Sequence, residues 1–116
     1  MGSFVEVGKQ NDLENGKMKE AKIEGHDILL ARVADKYYAI DNRCPHMGGN
    51  LSQGRLEGTI ATCPLHGSQF DITDGRVVRW LKGSGLLSTI GKALKSPRST
   101  TTYKVKTEGE KVFVEI

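Results

Sequence analysis

Residues 42–71 read NRCPHMGGNLSQGRLEGTIATCPLHGSQFD, and they hold both cysteines and two of the three histidines of this 116-residue chain. The four fall into two pairs, Cys44-Pro45-His46 and Cys63-Pro64-Leu65-His66, with sixteen residues between them. Each pair offers a thiolate and an imidazole from one short loop. A soft thiolate with a borderline imidazole suits iron, zinc or copper, and suits calcium or magnesium poorly. Cys44, His46, Cys63 and His66 are therefore candidate ligands of one metal centre. Structural zinc sites usually pair like with like, Cys with Cys and His with His. Here each loop is mixed, and a single residue separates Cys44 from His46. A zinc site from the same four ligands is the rival reading. A Cys44–Cys63 disulfide has little support in a chain without a secretion signal.

The CPH and CPLHG pairs, the SQFD that follows and the Asp74-Gly75 turn resemble the Rieske [2Fe–2S] domain in its soluble ferredoxin form. In that ligation two histidines replace two cysteines on one of the irons. The resemblance implies one cluster per chain, Cys44 and Cys63 on the inner iron, and His46 and His66 on the outer. Electrons would enter and leave along the histidines. It also implies an all-β fold of three stacked antiparallel sheets. Residues 1–116 would form a single domain, with a cluster-binding lobe at approximately 42–80 inserted in a base domain. The implied function is one-electron transfer from a flavin-dependent reductase to a terminal oxygenase or another redox acceptor, not independent catalysis. A ferredoxin-like small subunit of a larger oxidoreductase, such as a nitrite reductase, and a zinc-stabilised interaction module are the alternatives.

Two departures bear on redox potential. High-potential Rieske proteins carry a further cysteine in each loop, joined as a disulfide; this chain has only two cysteines in all. Those proteins also set a Ser and a Tyr hydroxyl near the cluster. Ser68 is kept here, but Phe70 stands where the Tyr would fall. Fewer donors to the sulfides leave the reduced cluster less stabilised, which predicts a potential low in the Rieske range.

The flanking sequence is strand-like. Phe4, Val5 and Val7 begin a strand, Asn15-Gly16 signals a turn, and Lys17 to Ile23 alternates weakly. A turn at Glu24-Gly25-His26-Asp27 leads into Ile28 to Val33, apolar on both faces, and Ala34-Asp35-Lys36 turns into Tyr37 to Ile40. His26 is read as a solvated turn residue, and Tyr37 and Tyr38 as a strand pair with one ring buried. Leu51 to Gly58 reads as a short turn, Thr59 to Thr62 as the strand delivering Cys63, and Gln69 to Val78 as a hairpin. Leu86, Leu87, Ile90 and Leu94 fall at helical spacing ahead of Ser96-Pro97, and Trp80 is read as core. Thr102 to Lys106 and Lys111 to Ile116 read as a final hairpin.

The formal net charge of +3 is too small to argue for nucleic acid as a partner. No apolar run approaches the roughly 20 residues of a membrane span. The start, Met1-Gly2-Ser3-Phe4, lacks the basic and apolar regions of a signal peptide, so a cytoplasmic monomer is expected. Charge is nevertheless uneven. From Arg76 to Thr107 there are eight basic residues and no acidic one, a candidate for steering an acidic redox partner.

Overall fold

The computed structural model describes residues 3–43, 49–64, 67–79 and 100–116. These residues form eleven short strands: β1 (Phe4–Lys9), β2 (Lys17–Ile23), β3 (His26–Val33), β4 (Lys36–Asp41), β5 (Arg55–Glu57), β6 (Ile60–Thr62), β7 (Gln69–Asp71), β8 (Val77–Arg79), β9 (Thr102–Tyr103), β10 (Val105–Glu108) and β11 (Lys111–Glu115). They assemble into three antiparallel sheets, β1-β11-β10, β2-β3-β4-β9 and β5-β6-β7-β8. The all-β expectation therefore holds over the described residues, and the four-stranded sheet built on β3 is the middle layer.

β3 shows why. Its side chains alternate between two cores. Leu29 and Ala31 face one, with Ile40, Leu51, Ala61, Cys63, Phe70 and Ile72. Ile28 and Leu30 face the other, with Leu13, Ile23, Ala39, Val112 and Val114. A strand apolar on both faces must be covered on both, and each fully buried Leu or Ile is worth about 2 kcal/mol over an exposed one. The first core joins the middle sheet to the lobe of β5 to β8; the second joins it to the sheet that carries both ends of the chain.

The turns follow their residues. Glu24-Gly25 and Ala34-Asp35 join β2 to β3 and β3 to β4, and all four residues have positive φ, the sign pattern of a two-residue hairpin turn with the right twist. Ala34 is strained there. The Asn15 side chain grips the turn, accepting the Asp35 amide at 2.8 Å and donating to its carboxylate at 2.9 Å.

Some expectations are corrected. Leu51 to Gly58 is more than a turn: a 3-10 turn at Leu51–Gln53 buries Leu51, and β5 follows. Three residues, exposed at Arg55 and Glu57, are too few to show a period. Thr102 to Lys106 is not one strand of a final hairpin. It splits at Lys104, so that β9 pairs with β4 in the middle sheet while β10 pairs with β11. His26 opens β3 instead of lying in the turn; it is exposed, and its ring stands edge-on to Tyr103 at 6.1 Å. Tyr37 and Tyr38 are both half-buried, one against each core. The helix expected around Leu86 to Leu94, and Trp80, lie outside the described residues.

Candidate metal centre

The first candidate loop leaves β4 at Asp41, and its mouth is described on both sides. Arg43 and Asn50 form an isolated antiparallel bridge, so the chain departs and returns at one point. Behind that bridge sits Asn42, fully buried. Its side-chain amide donates to Glu20 Oε2 on β2 at 2.9 Å and to Asp27 Oδ1 on β3 at 3.2 Å. Its side-chain oxygen accepts the Ser52 amide at 2.8 Å. Its backbone takes part as well: the Asn42 N–H donates to Asp27 O, and the Asn42 carbonyl accepts from Leu51 N–H. One side chain thus ties the loop's exit to its entry, and both to the middle sheet. Nothing in the periodicity of the sequence marks Asn42; the only signal is a buried amide needing several partners at once.

The second candidate loop is closed by its own backbone. Cys63 N–H donates to Ser68 O at 2.7 Å, and Gly67 N–H donates to Cys63 O at 3.1 Å. Gly67 has φ +75, the left-handed region that glycine enters without a Cβ penalty. Cys63 follows β6 and is 3% exposed, in contact with the first core. Ser68 and Phe70 are fully buried. On the outer side Arg79 reaches across from β8 and donates from both Nε and Nη2 to the Gly67 carbonyl, at 3.1 and 3.0 Å.

Gly54 leads into β5 beside the end of β6. A Cβ there would lie 1.8 Å from Thr62 O and 3.1 Å from Pro64 Cδ, so only a glycine lets the chain enter β5 this close to the strand that delivers Cys63. The lobe's far end is tied down too. Gly75 N–H donates to Asp71 O, and Thr100 N–H to Gly75 O, where the chain returns to the middle sheet. The Asp71 carboxyl, which accepts from Thr73 and Arg76, is held below its ordinary 3.8, chiefly by the Thr73 hydroxyl working against the opposing effect of burial.

Of the four candidate ligands the described residues contain Cys63; Cys44, His46 and His66 lie outside them. No cluster of three or more His, Cys, Asp or Glu suited to a metal occurs among the described residues. The basic run is also only partly described. Within it Arg76 pairs with Asp71, Lys106 pairs with Glu108 on a different sheet, and Arg79 is on the Gly67 carbonyl. Lys82, Lys92, Lys95 and Arg98 lie outside the described residues. No helix among the described residues is long and apolar enough to cross a membrane.

A buried cysteine on a backbone-closed loop, in a chain whose other loop supplies a Cys and a His in sequence, is a donor set that fits an iron–sulfur cluster. The sequence matches the family model of the Rieske [2Fe-2S] domain over residues 3–89. The chain belongs to the Rieske [2Fe–2S] domain family. Membership implies a [2Fe–2S] cluster. This Rieske domain is 31% identical over 105 residues to the ferredoxin component of the naphthalene 1,2-dioxygenase system of Pseudomonas aeruginosa, covering 90% of this chain and 88% of the relative. It is 30% identical over 114 residues to the ferredoxin component of the naphthalene 1,2-dioxygenase/salicylate 5-hydroxylase systems of a Ralstonia species, covering 98% and 96%. Among solved structures, the ferredoxin of carbazole 1,9a-dioxygenase from Nocardioides aromaticivorans IC177 shares the fold, with a TM-score of 0.78 at 24% identity over 97% of this chain and 96% of that one. Both curated relatives are named as ferredoxin components of their systems.

Proposed function

We propose that this chain is a one-electron carrier that takes electrons from a flavin-dependent reductase and passes them to a terminal oxygenase. The observation that carries this is the end-to-end match: 96% of the length of a ferredoxin component is covered by 98% of this chain. The likeness therefore extends over a whole ferredoxin component. The chain is read as a single domain, residues 1–116, with the lobe at approximately 42–80, acting as a cytoplasmic monomer.

In this reading Cys44 and Cys63 hold the inner iron and His46 and His66 the outer one, with one cluster per chain. The cluster, when bound, supplies a single reversible electron. The protein's own residues do the rest. The backbone bonds at Cys63, Gly67 and Ser68 hold the second loop's shape, Asn42 holds the first loop, and the apolar packing of Phe70, Leu51 and Ile72 excludes water from the side of Cys63.

The test is composition and spectrum. Two irons and two acid-labile sulfides per chain are expected, with a mixed-valence EPR signal after one-electron reduction. His46→Cys and His66→Cys are each expected to shift that signal toward the all-cysteine type or to empty the site. A colourless protein with stoichiometric zinc would overturn the assignment, as would unaltered spectra in both variants. Stopped-flow reduction by a flavin reductase, followed by reoxidation by a terminal oxygenase of an aromatic dioxygenase system, tests the carrier role itself.

A further inference from the structure

Arg79 stands apart from the other arginines. Among the described residues Arg32, Arg43, Arg55 and Arg76 each face a carboxylate, of Asp35, Asp27, Glu57 and Asp71 respectively. Arg79 forms no such pair among the described residues. The segments outside them, residues 1–2, 44–48, 65–66 and 80–99, contain no Asp or Glu to serve as its counter-ion. Both of its described hydrogen bonds go to one acceptor, the carbonyl of Gly67.

A β-bulge aims it there. β8 pairs with β7 as Phe70 against Val77 and Gln69 against Arg79, so Val78 is an extra residue with no partner on β7. Val78 is pushed outward and is 48% exposed. A bulge of this kind bends the strand and re-aims the side chain beyond it. Without the extra residue the side chain at position 79 would point to the other face of the sheet. The target is fixed as firmly as the donor. Gly67 holds a left-handed φ of +75, and the 67–68 peptide that carries its carbonyl is held on both sides, by Gly67 N–H on Cys63 O and by Cys63 N–H on Ser68 O.

We propose that Arg79 is a positioning and tuning residue for the cluster. Its guanidinium locks the Gly67–Ser68 peptide, and its positive charge, balanced by no carboxylate, stabilises the reduced cluster and raises its potential. This rests on the cluster assignment above. Reduction adds one electron to the cluster and removes none from the protein, so a fixed cation beside the loop favours the reduced state. The planar fork brings two donors to one oxygen, which a lysine ammonium on a flexible stem does not reproduce. Hydrogen bonds and charge around such clusters are recognised levers on their potential. The half-buried setting of Arg79 distinguishes this role from surface steering, because salt screens exposed charges far more than sheltered ones.

The experiment uses the cluster-loaded protein and its Arg79→Gln and Arg79→Lys variants, with iron and sulfide content, EPR and an EPR-monitored redox titration at low and high salt. Arg79→Gln is expected to keep the cluster, lower the potential and change the line shape, with the potential difference persisting at high salt. Arg79→Lys is expected to restore most of the potential but not the native line shape. A Gln variant whose potential matches the native protein overturns the proposal, and so does a Lys variant displaced as far as the Gln one. If the Gln variant folds but does not hold iron, recovery of iron by the Lys variant supports the proposal, and an equally empty Lys variant overturns it. Native protein that lacks iron and sulfide would instead refute the cluster assignment, so the two failures are told apart.

Discussion

The two candidate loops are held in different ways. The first is anchored outward, into the base. Asn42 reaches β2 through Glu20 and β3 through Asp27, and gathers Ser52 from the loop's return. Its network sets a buried neutral amide against the carboxylates of exposed Glu20 and half-buried Asp27. The second loop is anchored locally. Its two backbone bonds lie within residues 63–68, and the side chain that holds it comes from the neighbouring β8 of the same small sheet. A lesion at the first anchor should therefore appear as lost stability of the whole fold. A lesion at the second should appear at the cluster, with the fold little changed.

The largest effect is expected at Asn42. Asn42→Asp removes the donor and sets a third carboxylate where Glu20 Oε2 and Asp27 Oδ1 lie 2.9 and 3.2 Å from the amide nitrogen. Buried groups left unpaired cost about 1–3 kcal/mol each, so a loss of about 3 kcal/mol is expected in urea denaturation at neutral pH. Arg79→Gln should lose about 1 kcal/mol in the same measurement, the net worth of a hydrogen bond, while moving the potential. Equal destabilisation by the two variants would erase the distinction between the anchors.

Next in size is the joint. Gly54→Ala introduces a Cβ against the Thr62 carbonyl and Pro64, and overpacking of this kind costs about 1–3 kcal/mol. The contact presses on the chain just before and after Cys63, so cluster loss should precede unfolding on heating, followed by visible absorption and far-ultraviolet circular dichroism together. Coincident transitions would show that the joint belongs to the base fold and not to the lobe.

The smallest effect sharpens the account of the lobe's far end. The Asp71 carboxyl is depressed below 3.8, principally by the Thr73 hydroxyl. A group with a lowered folded-state value contributes stability that is fully present above its unfolded value and is lost as pH falls through the folded one. Asp71→Asn should therefore narrow the stability gap to the native protein below pH 3.8, and leave it widest near neutrality. A gap constant across that range would show that Asp71 acts through shape alone. Ser68→Ala, at a fully buried position, is expected to lower the cluster potential further if its hydroxyl donates to a sulfide.

By itself the sequence named the candidate donor set and determined the β character. Two Cys and two His in mixed loops, with Gly67 after the second pair, report chemistry that depends on residue type and short spacing. The hairpin from Gln69 to Val78 and the turns at Glu24-Gly25 and Ala34-Asp35 were legible for the same reason, since neighbouring residues dictate them. Tertiary structure alone decided what joins residues far apart in the chain. The split at Lys104 exists because β4 offers an edge to Thr102–Tyr103 while β11 offers one to Val105–Glu108, and no local pattern announces two hosts for one stretch. Asn42 becomes an anchor only when β2 and β3 bring Glu20 and Asp27 to it, from 22 and 15 residues away. Arg79 reads in sequence as one more member of a basic run. The bulge at Val78 turns it onto the Gly67 carbonyl, because one unpaired residue reverses the face on which every later side chain of the strand emerges.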